Sequence, residues 1–93
     1  MKTVAREEIE ELAHFIAGVW FKDQCRNPYA SFYLWYREAR DGERISLPIV
    51  STDAPNDDYK LATPERISGA MTKEQVGRKI ADCMMRLPIL SAE

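Results

Sequence analysis

Asn27-Pro28-Tyr29-Ala30-Ser31-Phe32-Tyr33-Leu34-Trp35-Tyr36 is the stretch whose conformation decides the fold. Its last eight positions hold five of the nine aromatic residues, so whatever it packs against is the core, a partner, or both. Asn is a favoured helix N-cap, and Pro suits the first helical position, where its missing N–H would have had no partner. At helical spacing over 28–40, Phe32, Trp35 and Ala39 fall toward one side. Tyr29, Tyr33 and Tyr36 fall toward the other, with Arg37 and Arg40 beside them, and only Leu34 lies well outside the arc. Gly42, just after Arg40, supplies a helix stop. The alternative is one β-hairpin at 31–50, turning at Asp41-Gly42, since aromatics favour strands and Asp-Gly favours tight turns. Against it, 32–36 has no polar alternation, and Pro48 in the second strand is confined to a sheet edge. The helix is the expected form.

Upstream, residues 4–25 carry Ala5, Ile9, Leu12, Ala13, Ile16, Val19 and Trp20 at steps of three and four, with Phe15 widening the stripe. Thr3 is a candidate N-cap, and Glu7 and Glu8 complement the positive end of the helix dipole. Downstream, 51–62 is a loop by composition. Thr63-Pro64-Glu65 reads as a helix start, weakened at Ser68-Gly69. Thr72-Lys73-Glu74-Gln75 has capping-box spacing and opens a helix to about Arg86, with Val76, Ile80, Cys83 and Met84 as its apolar stripe and Pro88 beyond it. Gly77 interrupts the pattern and allows a close helix approach. The expected fold is mainly α: a small single-domain bundle over 1–93, with a long N-terminal helix and a broken C-terminal helix pair. The alternative is α+β.

Composition narrows function by exclusion. Hydrophobic residues are 45% and charged residues 30%, an ordinary globular balance. The net charge of −2 gives no bulk field for nucleic acid or membrane. Two cysteines, Cys25 and Cys83, are too few for a disulfide scaffold, and no window is apolar enough to span a bilayer. With no apolar signal core after Met1, the expectation is a cytoplasmic protein with reduced thiols.

His14 is the only histidine, so no Ser-His-Asp or Cys-His set exists without it, and no nucleophile motif surrounds any Ser or Cys. Asp53, Asn56, Asp57 and Asp58 cluster oxygen donors in one loop, but the twelfth position from Asp53 is Pro64, not the Glu that an EF-hand requires. No enzyme, metal or cofactor is expected.

Two binding readings remain. Segment 64–86, a short helix, a turn at Ala70-Met71-Thr72 and a longer helix, resembles a helix-turn-helix. That resemblance implies DNA recognition through Lys73, Gln75, Arg78 and Lys79. The preferred reading is a non-enzymatic module that binds another protein as adaptor, inhibitor or small subunit. A homodimer is one form of it, and phage-borne and accessory regulators share this size and composition. Tyr, Trp and Arg anchor protein interfaces, which makes Tyr29, Tyr33, Tyr36, Arg37 and Arg40 its expected contact residues.

Overall fold

A computed structural model describes residues 5–24, 27–62 and 65–91. The element order is α1 (Arg6–Asp23), β1 (Ser31–Tyr36), β2 (Ile49–Ser51), β3 (Lys60–Leu61), β4 (Ile67–Ser68) and α2 (Lys73–Arg86). The mainly α expectation is therefore wrong, and the fold is α+β. β1 is the central strand of an antiparallel sheet, with β2 on one side and β3 and β4 sharing the other.

The error starts at Asn27-Pro28. The Asn27 side chain does accept a backbone hydrogen bond, from the Tyr29 N–H at 3.0 Å, and Ala30 N–H donates to the Asn27 carbonyl. This is an Asx turn rather than a helix cap, and the two share the same chemistry at their first residue. The turn delivers the aromatic run as a strand. Tyr33 lies opposite Ser51 and Trp35 opposite Ile49, so the hairpin is centred on Gly42. Gly42 has φ +89°, a left-handed conformation that glycine adopts without strain.

The absent polar alternation has a physical resolution. Phe32, Leu34 and Tyr36 face the helices: Leu34 is fully buried, and Phe32 and Tyr36 pack against the core. Tyr33 and Trp35 face the other way and are only half-buried, with Trp35 Nε1–H donating to the Ser51 carbonyl at 3.1 Å. Aromatic residues with a polar tip tolerate such a surface. Across the sheet, Ile49, Trp35 and Leu61 form one outward row.

The second correction is at 65–68. Thr63 and Pro64 lie outside the described residues, as does Thr3. Beyond them the chain is extended, with Ile67 paired to Phe32 and Ser68 to Ser31. A helix this short cannot offset its nucleation cost, whereas strand pairing satisfies β1. Gly69 N–H donates to the Ala30 carbonyl and Ala62 N–H to the Leu34 carbonyl, so this edge of β1 is bonded along its length.

The helices form much as the periodicity requires. α2 opens with a full capping box: Thr72 Oγ1 accepts from Gln75 N–H, and Gln75 Oε1 accepts from Thr72 N–H. α1 and α2 pack on each other over one sheet face, burying Ile9, Ala13, Ala17 and Trp20 against Val76, Ile80, Ala81, Cys83 and Met84. Gly77 lies under His14, where a Cβ would come within 2.4 Å of the imidazole Nδ1.

Candidate functional site

α1 is more apolar than its contact with the core requires. Ile9, Ala13, Ala17 and Trp20 are buried, yet Phe15 is 66% exposed and Val19 47% exposed. Val19 was expected in the buried stripe, and Phe15 at its margin. Both instead stand at the rim of an open groove between α1 and β2. Ile16, Trp20 and Phe32 line it from within, and Leu47, Ile49 and Val50 close its sheet side. Leu47, 41% exposed, completes the rim. The groove has a volume of about 580 Å³.

Two contacts orient it. Arg44 is ion-paired with Glu8 near the start of α1. Near its end, the Trp20 ring meets Phe32 edge-on at 5.5 Å, one residue from the Tyr33–Ser51 pair. α1 therefore runs alongside 44–52 in the same direction. The end near Phe15 and Leu47 is apolar, while the other end carries Asp23, Gln24, Ser51 and Thr52. Trp20 Nε1 and Gln24 Oε1 are buried without a hydrogen-bond partner, an unusual state for polar atoms in a folded chain.

The expected contact residues do not share a surface. Tyr29 sits in the turn before β1 and is 91% exposed. Tyr33 is on the outward sheet face, while Tyr36 is on the inward face against the core. Their common side existed only at helical spacing. Arg37 is committed to the hairpin connection: its guanidinium donates to both Glu43 oxygens, at 2.7 and 2.8 Å, and Glu43 Oε1 also accepts from Arg40 N–H at 2.7 Å. Arg40 itself pairs with Asp58.

The Arg37 fork, helped by the Arg40 N–H, holds the Glu43 carboxyl down at about 2. A depressed carboxylate stabilises the fold above its unfolded value, about 4.3, and that contribution fades as pH falls toward the folded value. Glu43→Gln is expected to flatten the acid limb of stability between those limits and to leave its slope near neutrality unchanged. Urea midpoints followed against pH measure this, and coincident acid limbs would show that the pair is not linked to folding.

The helix-turn-helix residues are also placed differently. β4 stands where the first helix was expected, so the described residues 65–86 hold one helix rather than two. Gln75 is used in the capping box, and Lys79 pairs with Glu65. Lys73 begins α2 opposite Gly18 of α1, and Arg78 borders a charged cleft with Glu10, His14 and Asp82. Burial pushes the Cys83 thiol up to about 11, so it remains protonated and packs as a small apolar group. No helix among the described residues is long and apolar enough to cross a membrane.

The chain matches no family model, no curated protein and no solved structure.

The groove was not expected, because the apolar stripe of 4–25, Val19 and Phe15 included, reads as facing one packed surface. The signal was the width of the stripe: Phe15 and Val19 extend it beyond the arc one packed face can bury.

Proposed function

We propose that this chain is a non-enzymatic protein-interaction module of the cytoplasm, and that its contact surface is the α1–β2 groove rather than the tyrosines of β1. The supporting observation is the exposure of Phe15, Val19 and Leu47 around one concave, largely apolar surface. Apolar side chains left in water around a concavity mark binding surfaces, and large ones anchor them. The placement of His14 and Cys83 is compatible with this reading. His14 covers Gly77, and Cys83 lies in the core.

The outward sheet row of Ile49, Trp35 and Leu61 is the weaker candidate. It holds a single aromatic, and the Trp35 N–H is already satisfied by the Ser51 carbonyl.

Affinity capture with the immobilised chain, quantified by mass spectrometry, tests the reading. Partners held by the unaltered chain and by Tyr29→Ser are expected to fall at least about tenfold with Phe15→Ser plus Val19→Ser, as loss of interface anchors does. Both substituted positions are exposed, so the thermal midpoint should move little. Partners indifferent to the double variant would overturn the proposal.

A further inference from the structure

One wall of the groove is backbone. On the side of β3 and β4, the Leu34 carbonyl accepts from Ala62 N–H and the Ala30 carbonyl accepts from Gly69 N–H. The N–H and C=O of one strand residue point to the same side, and direction alternates along the strand. Tyr33 and Trp35 therefore point toward β2, where their partners Ser51 and Ile49 face them. Val50, between those two, directs its N–H and C=O away from the sheet. No described strand pairs with that edge. By the same alternation the Thr52 N–H points outward, while Pro48 is fully buried and has no N–H to offer.

Resting on the groove reading above, we propose that the occupant is an extended segment of another protein, added as a strand along the free edge of β2. Its apolar side chains, at every second position, enter the space between β2 and α1. The outward N–H and C=O of Val50 and the N–H of Thr52 provide a short row of two donors and one acceptor, and backbone pairing of this kind is a recurrent mode of peptide capture. A helix in the same groove would leave those groups unused. A second copy of this chain would set one hollow against another and leave both unfilled.

The probe is a peptide selected from a displayed random library on the immobilised chain, then synthesised and titrated by fluorescence polarisation. It is also prepared with a single backbone N-methyl group at each position in turn. Strand addition predicts one sensitive position: methylation of the peptide N–H that meets the Val50 carbonyl weakens binding roughly fivefold or more and methylation at its two neighbours little, as removal of one hydrogen bond does. Val19→Glu is expected to weaken the unmodified peptide at least about tenfold, and Tyr29→Ala to leave it unchanged.

The failures are distinguishable. Binding that depends on Val19 but shows no single methylation-sensitive position, or a bound peptide that is helical, overturns strand addition and leaves the groove reading standing. Binders indifferent to Val19→Glu, or a library yielding none, overturn both. A dimer by light scattering that the peptide dissociates makes a second copy the natural occupant and overturns the heterologous assignment.

Discussion

Leu34→Ala is expected to lower the unfolding free energy by about 3–4 kcal/mol, the range for emptying a fully buried leucine site. Leu34 is 1% exposed on the inward face of β1, in one core cluster with Ile67, Ile80, Met84 and Ile89. For a small domain that loss is a large share of total stability and lowers the melting temperature by roughly 12–25 °C. Urea denaturation with an unchanged m-value measures it. The same substitution tests the two readings of the aromatic run. On a helix over 28–40, Leu34 stands apart from the packed arc, and its truncation would cost under about 0.5 kcal/mol, as surface changes do. A loss that small would place the core elsewhere.

Gly69→Ala is expected to cost about 2–3 kcal/mol, although it adds a single methyl group. A Cβ built at Gly69 lies 1.9 Å from the Asn27 carbonyl oxygen and 2.9 Å from its carbon. Backbone atoms cannot rotate aside, so the turn after β4 must separate from the turn before β1. The Gly69–Ala30 hydrogen bond is strained with it. Gly18→Ala is the control. Inside α1 its nearest contact is the Lys73 side chain at 3.8 Å, so alanine gains helix propensity and stabilises by up to about 1 kcal/mol. Chemical denaturation of both variants measures the contrast. If Gly69→Ala melts with the parent chain, the two turns are not in contact.

How much of this was legible varies by element. α1 and α2 were readable because long amphipathic patterns with caps have few alternative conformations, and the Thr72–Gln75 box even fixed where α2 begins. β1 was not. Six residues, Ser31–Tyr36, are too few for period 2 and period 3.6 to separate when nearly all are apolar. Asn27 suited either outcome, since capping and Asx turns begin with the same hydrogen bond. The Asp41-Gly42 turn carried the correct information, and the register centred on Gly42 shows how directly. Arg66-Ile67-Ser68 was misread because its state depends on the unpaired edge of β1, a tertiary fact with no local signature. The site was half legible. Phe15 and Val19 were visible as surplus hydrophobicity on α1, but the outward direction of Val50 follows only from strand order.

Pro48 has a consequence for solubility. A sheet with an open edge can template copies of itself, and a cell at high protein concentration then accumulates fibres. Here the open edge of β2 is only Ile49–Ser51 long, the outer edges of β3 and β4 are two residues each, and the residue before β2 cannot donate. One more strand can be seated, but a long ladder of identical chains has no continuous donor row to grow on. The same imino acid that shortens the docking site thus acts as a gatekeeper, keeping an adhesive edge from becoming a polymerising one.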